Sequence, residues 1–180
     1  MRARLGLQIG LVLVAAAVPA AALAANTATL AISPPATAAF SVTLNGIDQL
    51  GSYAVPIPVS YTSANKNLYA VNGWRITATS TVFRGTASGR TLATTASTLT
   101  VTDSANCIPK GCSDPTNNIG YPLTLPADTV APSAITIFNA TPGTGVGSNT
   151  ETLLVSVSIP ANTYADTYTS TLTLAAVEGP

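Results

Sequence analysis

A two-residue rhythm runs through this chain from residue 40 to its end, and no stretch in that range repeats apolar residues at the three-to-four-residue spacing of a helix. Phe40, Val42 and Leu44 alternate with Ser41 and Thr43; Trp74, Ile76 and Ala78 alternate with Arg75, Thr77 and Thr79. Leu99 and Val101 stand between Thr98, Thr100 and Thr102. Leu153, Val155, Val157 and Ile159 alternate with Leu154, Ser156 and Ser158, and Tyr168, Leu172 and Leu174 with Thr169, Thr171 and Thr173. Successive side chains of a strand point to opposite faces, so each run has one face to bury and one to leave wet. Thr and Val reinforce this, because their branched Cβ packs better on a pleated surface than in a helix.

Sheets with one solvated face are antiparallel, since parallel sheets need helices over both faces and read as unbroken apolar runs. Turn signals at Pro34-Pro35, Asn45-Gly46, Asn72-Gly73, Ser88-Gly89, Pro142-Gly143 and Pro160-Ala161-Asn162 divide the runs at sandwich-like intervals. The expected fold is all-β, an antiparallel, immunoglobulin-like β-sandwich of about eight or nine strands. The run Tyr53-Ala54-Val55-Pro56-Ile57-Pro58-Val59-Ser60-Tyr61 carries two prolines of the same parity. Their missing N–H groups fall on one lateral side, so this strand belongs at an edge or pairs only on its other side.

Ahead of this domain stands Met1-Arg2-Ala3-Arg4, then an uncharged, apolar, helix-prone run from Leu5 to Ala24 that ends in Ala22-Leu23-Ala24. Basic start, apolar middle and an A-x-A end give the order of a secretory signal peptide. The expected division is 1–24 signal peptide and 25–180 one β-sandwich domain, secreted or extracellular and holding no membrane after cleavage. The strand runs beyond residue 25 suffice, on this reading, for a self-contained sandwich. Removing Arg2 and Arg4 leaves five basic against seven acidic side chains, a net charge of −2. The remaining Lys66, Arg75, Arg84, Arg90 and Lys110 are scattered singly, so no nucleic-acid surface is expected.

The chain has no histidine. That removes the usual general base, the usual metal ligand and any Ser-His or Cys-His nucleophile pair. The acids Asp48, Asp103, Asp114, Asp128, Glu151, Asp166 and Glu178 fall mostly at inferred turns and termini, so no catalytic, cofactor or metal site is expected, and the chain reads as a non-enzyme. Cys107 and Cys112 are the only thiols, and in an exported chain they are expected to pair as a disulfide. So short a loop constrains the unfolded chain by about 2 kcal/mol. Asp103, Asn106, Asp114, Asn117 and Asn118 offer oxygen donors for calcium, but polar turn chemistry accounts for them and their spacing fits no EF-hand. Three Thr-x-Thr-x-Thr rows, Thr77/Thr79/Thr81, Thr98/Thr100/Thr102 and Thr169/Thr171/Thr173, are expected on outer strand faces. Trp74 is expected in the core.

Gly73-Trp74-Arg75-Ile76-Thr77-Ala78-Thr79, the Gly-rich turn Asn139-Ala140-Thr141-Pro142-Gly143-Thr144-Gly145-Val146-Gly147, and a final strand closing in Gly179-Pro180 together resemble bacterial WxL-domain surface proteins. The resemblance implies a non-catalytic cell-surface sandwich held non-covalently to the wall, with peptidoglycan or other surface proteins as partners and Trp74, Arg75 and Ile76 as the wall-binding motif. Leu172-Thr173-Leu174 stands where a second W-x-L belongs. The ending Pro160-Ala161-Asn162-Thr163-Tyr164 before an alternating strand also resembles pilus and spore-coat-type subunits, which implies a self-assembling fibre subunit that borrows a strand from a neighbour.

Overall fold

The computed structural model describes residues 6–15, 29–62, 72–104 and 112–179, with backbone pairing alone for 6–15. Twelve strands make up the described chain: β1 (Gly6–Ala15), β2 (Thr29–Ile32), β3 (Thr37–Thr43), β4 (Gln49–Thr62), β5 (Trp74–Thr81), β6 (Arg84–Gly85), β7 (Ser97–Ser104), β8 (Leu123–Thr124), β9 (Ala127–Asp128), β10 (Ile135–Ala140), β11 (Gly147–Ile159) and β12 (Thr167–Glu178). They form two sheets, consistent with a β-sandwich. One runs β10-β5-β12-β1-β3, with β6 beside β12 and β9 beside β5; the other runs β2-β4-β11-β7-β8. The ladders are antiparallel except β1 with β12 and β5 with β9. Among the described residues no helix is long and apolar enough to cross a membrane.

The alternation read from the sequence is the alternation of burial. In β4, Tyr53, Val55, Ile57, Val59 and Tyr61 are buried, whereas Ser52, Ala54, Pro56, Pro58 and Ser60 are exposed. In β11, Leu153, Val155, Val157 and Ile159 are buried against them. Each such side chain contributes about 1.5–3 kcal/mol relative to exposure. From the opposite sheet Trp74, Ile76, Leu172 and Leu174 complete the core.

Pro56 and Pro58 sit as their parity requires. β4 pairs with β11 along nearly its whole length, and on its other flank meets only β2, over Val59 to Thr62. The Pro58 carbonyl accepts from the Ser33 backbone N–H at 3.0 Å on that second flank. The N and O of one strand residue point to the same side, so the missing proline donors face the sparsely paired flank and cost the β11 ladder nothing.

The first strand departs from the expectation. Residues 6–15, read as helix-prone, form β1 inside the first sheet. Gly6 and Gly10 weaken a helix, Ile9, Val12 and Val14 are β-branched, and two open ladders compete for the same backbone. β3 pairs with β1 alone among the described strands, so the first sheet as described draws one of its strands from residues 1–24. The signal cleavage point Ala22 to Ala24, together with Lys66, Asn106, Cys107 and Lys110, lies outside the described residues.

Candidate functional site

The site that the topology builds is the strand-wide slot between β3 and β12, in which β1 lies. Two walls define it. On one side β12 pairs from Gln8↔Thr167 through Ala15↔Leu174. On the other, β3 pairs from Gly6↔Thr43 through Val12↔Thr37. The β12 wall alternates buried Tyr168, Ser170, Leu172 and Leu174 with half-buried Thr169, Thr171 and Thr173. The β3 wall turns Ala38, Phe40 and Val42 toward the core and leaves Ala39 and Ser41 exposed.

Neither wall depends on β1 alone for its position. β12 is fastened on its far side to β5, from Leu172↔Ser80 to Glu178↔Trp74, and to β6. The Ser170 hydroxyl donates to the Thr81 carbonyl, and the Thr171 N–H donates to the Thr81 hydroxyl at 2.9 Å. β3 is held across the sandwich: the Phe40 ring stacks on Tyr53 at 5.4 Å. Gly51 makes room for it, since a Cβ there would lie 2.0 Å from the Phe40 ring.

Trp74 and Ile76 are fully buried, and Arg75 is half-buried in the register row of Asn139 and Val177. The Trp74 ring stacks on Phe138 at 5.2 Å, and its indole N–H donates to the Gly145 carbonyl at 2.8 Å. The Gly-Trp segment and the Gly-rich turn thus meet in space. Gly145 has φ of +72°, and a Cβ there would stand 2.5 Å from Trp74 Nε1. Cys107 lies outside the described residues, so its pairing with Cys112 rests on the sequence.

The Thr rows differ from one another. Thr77 donates to the Ala175 carbonyl and Thr79 to the Pro132 carbonyl, at 3.4 and 2.7 Å, and Thr79 is buried beneath the segment after β9. That corrects the expected open row on β5, and the reason is local: a chain segment far along the sequence folds over it. Thr98, Thr100 and Thr102 run from half-buried to exposed. Thr81, Arg84, Thr91, Thr129, Thr169 and Thr171 line a recess of about 240 Å³ with no carboxylate in its lining.

Asp48, Asp128 and Asp166 accept hydrogen bonds at or beside turns, whereas Glu151 and Glu178 stand in strands. Asp48 accepts from the Ala161 N–H at 2.8 Å, and Glu178 from the Tyr61 hydroxyl at 2.8 Å. Glu151, fully buried in central strand β11, departs from the expected placement at turns and termini. Of the oxygen donors considered for calcium, Asn117 Oδ1 accepts from the Ile119 and Asn139 N–H groups, and Asn118 Oδ1 accepts from Asn139 Nδ2. Among the described residues no group of three or more Cys, Asp or Glu side chains is placed to hold a metal ion.

Asp166 organises the loop after β6, a role that sequence reading missed because its partners lie some eighty positions away. Its carboxylate accepts from the Ser88 hydroxyl, from the Ser88 and Ala87 N–H groups, and from the Thr167 N–H. Beside it, the Arg90 guanidinium lies 3.9 Å from the centre of the Tyr164 ring. The Ser88 bonds, hydroxyl first, pull the Asp166 pKa from 3.8 down to about 2. A depressed carboxylate stabilises the fold above its unfolded pKa and loses that contribution as pH falls toward the folded one. The 86–88 loop is therefore expected to stay ordered at pH 5 and open between pH 4 and 2, with Asp166→Asn open throughout. Amide chemical shifts of Ala87 and Ser88 across an acid titration check this; a pH-independent wild-type loop contradicts it.

Comparison with protein-family models and with curated sequences finds no match.

Proposed function

We propose that the chain is an exported, non-catalytic surface subunit that assembles by accepting a strand into the slot between β3 and β12, in the manner of a pilus- or spore-coat-like subunit. One observation carries the reading. The only described strand that fills the slot comes from the segment with the order of a cleavable export signal. Cleavage after Ala24 takes β1 away and opens the ladder edges of β3 and β12 beside the core row Tyr168, Leu172 and Leu174. An open edge beside an apolar row is a template for strand addition. A Cys107–Cys112 disulfide and an extracytoplasmic address belong to the same reading.

A second reading has its own support. The Trp74–Gly145 bond joins the two elements that resemble WxL domains, and this favours a wall-associated module. Trp74 and Ile76 would then shape the fold, leaving wall contact to exposed neighbours. Light scattering on the precursor 1–180 and on the exported, cleaved protein tests the first reading: the precursor is expected to stay monomeric while the cleaved form associates with rising concentration or is recovered with a partner. A cleaved form that stays monomeric and stable overturns it. Cosedimentation of that monomer with purified walls then marks the second reading.

A further inference from the structure

We propose that the threonine-lined recess beside β12, between the end of β5 and β6, binds one acidic sugar unit of the uronate class, with Arg84 taking the carboxylate and the threonine hydroxyls taking the ring hydroxyls. None of these residues lies in β1 or β3, so the site stands whether or not the slot accepts a strand.

A fault in one ladder makes the recess. β12 pairs Leu172 with Ser80 and Thr169 with Arg84, so Thr81, Val82 and Phe83 stand opposite only Ser170 and Thr171. One extra residue on one strand is a β-bulge, which bends that strand out of the ladder. The displaced backbone finds partners elsewhere: the Val82 N–H donates to the Asp128 carbonyl and the Leu92 N–H to the Phe83 carbonyl, both at 2.9 Å. Val82 and Phe83 bury their side chains, and a hollow of about 240 Å³ is left along β12. The bulge is itself held in place, because the Thr81 hydroxyl accepts from the Thr171 N–H at 2.9 Å.

Size and chemistry select the ligand. The hollow falls just short of the roughly 300 Å³ at which sites for drug-sized molecules begin, which suits a single sugar ring. Arg84 and Thr91 face each other in an isolated bridge, and Thr169 lies in register with Arg84. Among the described residues no hydrogen bond or ion pair engages the Arg84 guanidinium or the hydroxyls of Thr91, Thr169 and Thr171. The guanidinium is a planar fork of donors that matches a carboxylate in bidentate fashion. A hydroxyl both donates and accepts, so the threonines suit a ligand that does the same, as a polyol does. The two ends of the recess differ. At the end away from Arg84, Thr129 donates its N–H and its hydroxyl to Asp128, whose carboxylate is outside the lining. An anionic group is therefore drawn to the Arg84 end, and sugar hydroxyls to the Thr129 end. A phosphate dianion would leave one charge unmatched, and a neutral sugar would leave the guanidinium fork unused.

The test uses the full chain 1–180, with glucuronate as the probe and glucose as its uncharged counterpart, read by amide chemical shifts during titration. Glucuronate is expected to shift Arg84, Thr169 and Thr171 saturably and to bind at least tenfold more tightly than glucose. Arg84→Gln is expected to weaken glucuronate at least tenfold, and Arg84→Lys to recover only part of the loss, since an ammonium supplies the charge without the fork. Thr171→Val, which keeps the branched side chain and removes the hydroxyl, is expected to weaken it about threefold. Equal binding of glucose overturns the role of Arg84. Tighter binding of glucose 6-sulfate overturns the carboxylate, and acetate binding as tightly as glucuronate overturns the sugar. The absence of any saturable shift overturns the site, whatever the cleaved protein does in light scattering. Where Arg84→Gln also moves the Gly85 and Tyr168 amides in the unliganded protein, Thr171→Val decides, and unchanged glucuronate affinity in that variant overturns the proposal.

Discussion

Trp74→Ala is expected to destabilise the domain by about 3–5 kcal/mol, the range for truncating a fully buried aromatic side chain. In a chain of this size that corresponds to a fall in melting temperature of about 10 °C. Three losses combine. The indole fills the core at zero exposure, its ring stacks on Phe138, and its N–H satisfies the Gly145 carbonyl. Trp74→Phe keeps most of the ring volume and loses the hydrogen bond, so its cost is expected near 1–2 kcal/mol. Gly145→Ala attacks the same contact from the other side, by crowding Nε1 and by forcing a side chain into positive φ. It is expected to fall between the two. Thermal and urea unfolding of the three variants checks the order. A Trp74→Ala protein that melts within 2 °C of wild type would show that the ring carries little of the core.

Parity made much of this core legible in advance. A period of two needs no knowledge of partners: once Trp74, Val155 or Leu172 is placed on a strand, its buried neighbours at i±2 follow, and the packing agrees. The Pro56 and Pro58 argument succeeded for the same reason, since a missing donor is a property of the residue itself. What depended on distant partners was not legible. Thr79 looked like an outward hydroxyl until the segment at Pro132 folded over it. Asp166 looked like an ordinary turn acid, because its partners Ala87 and Ser88 are remote in sequence. The two-residue strands β6, β8 and β9 are too short to show a rhythm.

The candidate site divides along the same line. Both walls of the slot were read as strands, from Phe40, Val42 and Leu44 on one side and Tyr168, Leu172 and Leu174 on the other. That they are not neighbours could not be read, because strand order is set by crossovers between distant segments. The occupant was misjudged as helix-prone because its apolar run fits a signal peptide as well as a strand. Short apolar runs do not separate the two by period, and here the vacant ladders of β3 and β12 decide.

Those ladders lead to the second large effect. In the full chain with Ile9→Asp and Leu11→Asp, hydrogen-exchange protection is expected to collapse across β3 while persisting in β4 and β11. β3 has no other described ladder partner, so losing β1 leaves its amides to cross-sheet packing through Phe40 and Tyr53, which shields side chains but satisfies no backbone donor. β11 lies between β4 and β7 in the opposite sheet and is untouched by the change. β12 should divide along its own length: amides facing β5 and β6 stay slow, and those facing the slot between Thr167 and Leu174 become fast. Residue-resolved exchange distinguishes this from general weakening, in which β4 and β11 would lose protection alongside β3. Uniform loss would mean that β1 supports the whole sandwich. Retained protection in β3 would mean that the slot closes on itself, with β3 moving across to pair directly with β12 and leaving no room for a donated strand.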